Sequence, residues 1–373
     1  MRDRIVFIDL LRGWAVLVMI EVHVFNAFII PGLKQTSWFE ILNFINGLVA
    51  PTFLFVAGMV FVVVSERKLA EFRSFGSGFR KQLSRIGLIW FIGYILHLPV
   101  FSFGKILDTP ESGWNTFYQS DILHCIAVGL LLLFGVRIIV RSEKAFSTIV
   151  FILGLAAVFG ASLLGASDFI RSFHPATRAY FDFRMSMFPL VPWLGFILWG
   201  GVLGMAYLRM IAAGAEDRFA RVVTGTGIVL VLIGFPSLFG VTLFSDGFDW
   251  LNDPLFYLLR FGLVLLLLAG CRLWVQRWKT ENSFLLDAGR ESLLVYVGHL
   301  QVLYATVFGM ESLVDRVGGS FSLLECLAAT AVLTAVMVVA AKYWGAFKQR
   351  SRPNARKILL AGSVLLIAVF FLQ

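Results

Sequence analysis

Charge is scarce in this sequence. Of its 373 residues only 15% are Asp, Glu, Lys or Arg, whereas 59% are hydrophobic. A water-soluble domain carries about 25% charged residues, so the scarcity excludes a chain of ordinary soluble domains. No polar stretch is long enough to hold one. Cysteine is nearly absent as well. Cys125, Cys271 and Cys326 are odd in number, lack metal-ligand spacing and lie in or beside apolar segments. They read as small hydrophobes, and no metal is expected. There is no internal repeat and no low-complexity tract. No small-residue cleavage site follows the first apolar segment, so a removable signal peptide is not expected and that segment should stay in the bilayer.

Long apolar runs fill the space that charge leaves. A helix needs about 20 apolar residues to cross a bilayer. That length predicts about eleven spans, near 5–28, 41–64, 82–103, 122–141, 145–167, 187–210, 221–244, 254–274, 291–309, 321–343 and 357–373. The expected fold is all-α: a polytopic integral membrane helix bundle forming one domain over residues 1–373. Lys and Arg fix its orientation. With the N-terminus inside, the inner segments hold 23 of them and the outer segments 6. The C-terminus should then face outward. The net charge of +9 therefore records topology and gives no reason to expect nucleic acid. The expected location is the cytoplasmic (inner) membrane, multi-pass.

Against this background "IDLLRGWAVLVMIEVHVFNAF" (8–28) stands out. Ionisable groups inside hydrocarbon are costly, and they mark function or a buried partner. Residues eleven apart on a helix fall about 20° from each other, so Arg12 and His23 share one stripe, roughly 16 Å apart along the axis. Asp9 lies near that stripe, and an i,i+3 ion pair with Arg12 is its simplest role. Glu21 points almost the opposite way and needs a partner on another helix. In "GRESLLVYVGHLQ" (289–301), Ser292, Tyr296 and His299 recur at i, i+4 and i+7 and share a face. The bland alternative there is a polar helix seam. In "SDILHC" (120–125), Asp121 suits a helix N-terminus, and His124 follows three residues later. Asn43 and Asn46 open the second span, Arg85 the third, and His97 reads as structural beside Pro99. Gly200 and Gly204 have the spacing of close helix packing.

Two functional classes fit histidines on several spans with arginines toward the inner side. One is a multi-pass transporter or flippase using the His, Arg and Asp groups as a substrate or proton site. Such proteins often carry repeats and broken helices, and the sequence shows neither. The other is a transferase with a histidine as general base and cations for the phosphates of an activated donor. An acyl-CoA fits the layout: its phosphates at inner arginines, its long arm reaching a histidine deeper in the span.

Five stretches resemble the heparan-alpha-glucosaminide N-acetyltransferase catalytic family and its bacterial relatives, within the transmembrane acyltransferase superfamily. They are "RIVFIDLLRGWAVLVMIEVH" (4–23), "NGLVAPTFLFVAGMVF" (46–61), "SDILHCIAVGLLLL" (120–133), "FPLVPWLGFILWGGVLG" (188–204) and "GRESLLVYVGHLQ" (289–301). The resemblance implies transfer of an acetyl or other acyl group from cytosolic acyl-CoA across the membrane to an extracytoplasmic sugar or glycan acceptor. A bacterial-type envelope sugar is expected, because the large luminal N-terminal domain of the lysosomal enzyme has no counterpart here. His23 falls at the family's first-helix histidine, Arg12 at its RG arginine and His299 at its late histidine, with His124 a further candidate. The expected catalytic residues are thus His23, His299 and His124. Arg12, Arg290, Arg85 and Tyr296 are assigned to the donor, and Asp121 and Asn46 to the acceptor. The first, second, fourth and ninth spans should frame the cavity. Acyl-CoA, the glycan acceptor and the lipid bilayer are the expected partners, and a homodimer is one allowed assembly. His23 acts either as an acyl carrier, which gives ping-pong kinetics, or as a base in a ternary complex.

Overall fold

The computed structural model describes residues 5–165, 167–244, 253–278, 283–305 and 311–372. Its principal helices are α1 (Val6–Phe28), α2 (Ser37–Asn46), α3 (Val49–Glu66), α4 (Ser77–Leu96), α5 (Ile122–Ile139), α6 (Glu143–Gly165), α7 (Leu190–Ala212), α8 (Glu216–Gly234), α9 (Pro254–Arg277), α10 (Phe284–Arg290), α11 (Ser292–Tyr304), α12 (Leu323–Arg350) and α13 (Arg352–Leu372). Among the described residues there is no strand, only an isolated bridge between Ile29 and Phe321. The protein is an all-α, polytopic membrane chain.

Eight helical segments among the described residues are long and apolar enough to cross a bilayer. The other three expected spans are helical in part but fall outside that set. α1 carries Asp9, Arg12 and Glu21, and α4 carries Arg80, Lys81 and Arg85 near its start. α11 has 13 residues, and a helix break stands at the start of the expected ninth span: α10 ends at Arg290, Glu291 leaves helical geometry and α11 begins at Ser292. No broken helix is expected from the sequence, so this break is a correction. Arg2, Arg4 and Lys279, counted on the inner side, lie outside the described residues.

The chain forms two compact units. One comprises residues 1–49, 98–113 and 271–373, the other residues 50–97 and 114–270. In the first, α1 packs on α10 backbone to backbone. A Cβ at Gly13 would overlap the Leu285 carbonyl, and one at Gly289 would overlap the Asp9 carbonyl. The glycines beside Arg12 and Arg290 therefore let two helices approach until their polar neighbours face each other. α13 is scarcely packed, and its apolar surface is open along most of its length.

In the second unit small residues do the same work. Cβ atoms at Gly200 and Gly204 of α7 would overlap the Phe55 and crowd the Met59 carbonyls of α3, and one at Gly58 would overlap Ile197. The expected packing role of Gly200 and Gly204 is what the geometry shows. Arg137, counted in an inner loop, is instead buried at the end of α5. It forks onto the Glu66 carboxylate, while Arg73 donates to the carbonyls of Arg137, Ile138 and Val140. Those carbonyls are the unsatisfied end of α5, so two arginines close that helix.

Candidate functional site

α1 and α11 lie side by side in the first unit, and their polar stripes meet at two levels. At the first level Arg12 Nη2 donates to Ser292 Oγ at 3.0 Å. At the second the His23 and His299 rings sit 5.0 Å apart, centroid to centroid. The steps between levels are eleven residues on α1 and seven on α11, in the same direction, so the two helices run parallel through the site. Tyr304 places its ring edge-on to His23 at 6.1 Å, and Tyr296 lies 6.0 Å from His299.

The two histidines differ in environment. His299 is fully buried, and its Nδ1 lies 2.7 Å from the Val295 carbonyl. A carbonyl only accepts, so Nδ1 holds the ring proton and Nε2 of the neutral ring carries the lone pair. That Nε2 atom is buried and has no hydrogen-bond partner. His23 is partly exposed. One histidine is locked in tautomer and the other is only partly covered.

The other end of the seam is charged. Asp9 faces Arg290 across helices at 3.8 Å and also acts on Arg12 along its own. Arg290 also meets Asp287 at 3.5 Å, and Glu291, the residue at the helix break, holds Lys348 at 2.5 Å. Asp9 and Glu291 are the carboxylates acting on Arg12. Beside this cluster opens a cleft of about 620 Å³ bordered by Arg290, Glu291, Lys342, Lys348, Arg352 and Arg356. Its walls stop one residue short of Ser292 and include neither Arg12, His23 nor His299. Lys342, Lys348, Arg352 and Arg356 were read only as topology markers in the sequence. The corner between α12 and α13, which brings them around Arg290, leaves no motif.

Asn46, expected at the acceptor, is buried and bonds the Glu21 side chain. This supplies the partner that Glu21 needed on another helix. One oxygen of each side chain, Glu21 Oε1 and Asn46 Oδ1, is buried without a partner.

The remaining candidates belong to the second unit. Arg85 is exposed on α4. Asp121 and His124 form a reciprocal cap at the start of α5. The Asp121 carboxylate accepts from the Ile122 N–H, and the Asp121 N–H donates to His124 Nδ1 at 3.0 Å. The proton of the neutral His124 ring is therefore on Nε2, which is buried without a partner. Gly93 makes room for that ring, and Tyr94 covers it at 4.3 Å. Outside the spans, Tyr180 accepts from Trp90 Nε1 at 2.9 Å and pairs with the Tyr94 hydroxyl at 2.7 Å. Burial, and then the Tyr94 hydroxyl, hold the Tyr180 phenol above its ordinary range. His97 bonds back to the Gly93 carbonyl, in keeping with its structural reading.

No group of three or more His, Cys, Asp or Glu side chains suited to a metal occurs among the described residues. Comparison with protein families matches the chain to the model described as "Heparan-alpha-glucosaminide N-acetyltransferase, catalytic" over residues 4–239, well over half of the chain. That region holds Arg12, His23, Asn46, Arg85, Asp121 and His124. Arg290, Tyr296, His299 and the cleft lie beyond it. No curated protein matches the sequence.

Proposed function

The chain belongs to the heparan-alpha-glucosaminide N-acetyltransferase catalytic family, and from that premise we propose that it moves an acyl group from acyl-CoA to a sugar or glycan hydroxyl or amine across the membrane. A membrane acetyltransferase-like activity comes with the family. The donor, the direction and the residues are the proposal. One observation carries it: a single seam joins a charged end, holding Arg12 and Arg290, to a pair of imidazoles about one pantetheine arm away. Eleven residues of helix span roughly 16 Å.

In this reading the donor phosphates lie toward Arg12 and Arg290, and the thioester reaches His23. The acceptor oxygen or nitrogen attacks the thioester carbonyl and gives its proton to His23 as the C–N or C–O bond forms. The tetrahedral intermediate then collapses, the C–S bond breaks, and the CoA thiolate leaves and takes that proton. His299, with its lone pair fixed on Nε2 beside His23, orients the His23 ring and stabilises it when protonated. Tyr304 and Tyr296 wall the pair. His124 and Asp121 cap a helix and do not enter the steps. Localisation in the inner membrane, with an envelope sugar as acceptor, completes the proposal. An acyl carrier at His23 would leave a labelled enzyme after the donor is added without acceptor.

The test uses purified protein and radiolabelled acetyl-CoA. The wild type should bind the donor and release or transfer label, and His23→Ala should lose transfer by about a hundred- to ten-thousand-fold, the scale of general-base catalysis. Wild type that neither binds acetyl-CoA nor turns it over sinks the reading and favours a transporter. The interrupted helix at Glu291 is a feature shared with that class.

A further inference from the structure

The cleft beside Arg290 holds more positive charge than its own carboxylates neutralise. Glu291 is engaged by Lys348, and Asp287 and Asp9 by Arg290. Lys342, Arg352 and Arg356 remain on its walls, exposed, with no carboxylate partner among the described residues. Arg352 also opens α13, a helix of 21 residues, whose positive end adds to the field. The surplus of three cations surrounds a space of about 620 Å³. The cleft ends at Glu291, next to the Ser292–Arg12 bond that begins the seam.

We infer that this cleft seats the phosphorylated nucleotide end of the donor, and that Lys342, Arg352 and Arg356 select a polyphosphorylated donor over the same thioester without its phosphates. This rests on the acyl-CoA reading and adds three residues to it that lie outside the family match. Two features favour a nucleotide over a lipid headgroup. A phosphodiester headgroup brings one negative charge per phosphate, whereas a ribose phosphate with a diphosphate brings several, closer to the surplus. The cleft also ends at Glu291, one residue from the Ser292 that bonds Arg12, so a ligand held there sits beside the seam on which His23 lies. Flexible lysine and forked arginine side chains at an open mouth suit phosphate esters.

The test needs binding and turnover. Adenosine 3′,5′-bisphosphate is titrated calorimetrically into the full-length protein in neutral-lipid nanodiscs. Wild type should bind, and the Arg352→Gln/Arg356→Gln double variant should bind at least about tenfold more weakly. Arg80→Gln, on α4, should bind as wild type does. In transfer assays wild type should show a lower KM for acetyl-CoA than for acetyl-pantetheine, and the double variant should bring the two KM values together with little change in kcat. Equal KM values in wild type, or bisphosphate binding that is indifferent to both arginines, overturn the inference while leaving the transferase reading intact. Loss of bisphosphate binding on moving from neutral to phosphatidylglycerol nanodiscs assigns the cleft to a lipid and also overturns it. Bisphosphate binding that depends on the arginines, in a protein without acyl transfer, supports the nucleotide site and removes the transferase reading instead.

Discussion

His299 is the residue whose chemistry the structure defines most sharply. Its Nδ1 proton is tied to the Val295 carbonyl, so a side chain that cannot hold a basic nitrogen beside His23 should fail even where it fills the space. His299→Gln should lower kcat by about a hundredfold or more and leave the KM for acetyl-CoA near that of wild type, if the donor phosphates lie at the other end of the seam as proposed. An equal change in KM would place His299 at the donor instead. Arg12 should behave in the opposite way. Ser292→Ala removes the hydroxyl that accepts from Nη2. Hydrogen bonds to charged groups are worth about 1.5–3 kcal/mol, so the KM for acetyl-CoA should rise by about tenfold or more with kcat little changed, as steady-state kinetics would read. At this scale the sequence was informative where helical phase alone decides: Arg12, His23, Ser292 and His299 were placed on two stripes, and these are the residues that meet. It said nothing of which nitrogen of His299 carries the proton, because a backbone carbonyl decides that.

Glycines set the helix spacing that lets those side chains meet. Gly13 and Gly289 flank the two arginines, and a Cβ at either would run into the backbone of the facing helix. Backbone cannot move aside as a flexible side chain can, so Gly289→Ala should destabilise the protein by about 3 kcal/mol, at the upper end for overpacking. Gly87 on α4 is the control: a Cβ there meets nothing within 4 Å. Gly87→Ala should be neutral or slightly stabilising, since alanine favours the helix by about 1 kcal/mol. Thermal unfolding in detergent compares the two, and equal midpoints would remove the close-packing account. Arg137 gives a second case. Arg137→Ala leaves the Glu66 carboxylate without its fork and removes one of the two arginines that hold the Val140 carbonyl at the end of α5. Breaking a buried pair costs about 3–5 kcal/mol, so this variant should unfold well below wild type. Spacing made Gly200 and Gly204 legible as packing residues. Gly13 and Gly289 were not, because their partners are some 270 residues away in sequence. The break at Glu291 was hidden for another reason: the polar run "DAGRES" around it reads as the start of a span, and its Gly289 serves the close approach to α1.

At the scale of the whole molecule, orientation decides what the cleft can meet. The Lys/Arg count puts the α12–α13 corner inside, and with it Arg290, Arg352 and Arg356. A cytosolic donor can enter the cleft only if that assignment holds. Ser142 between α5 and α6 is an exposed position on the side expected to face inward, and so is Asn354 near the cleft. Ser172, in the connection before α7, is exposed and expected outside. The native Cys125, Cys271 and Cys326 are buried and should give little background. Intact cells treated with a membrane-impermeant maleimide should therefore label Ser172→Cys. Ser142→Cys and Asn354→Cys should be labelled only after the membrane is opened. Labelling of Asn354→Cys from outside would put the cationic cleft on the face away from acyl-CoA. It would also undo the donor path from the α12–α13 corner to His23, whatever the chemistry of the imidazole pair. With the eleven expected spans the loop charges agree with one another across the chain, 23 Lys and Arg falling on one side and 6 on the other. A reversal would therefore have to involve every loop together, and all three positions should report the same orientation.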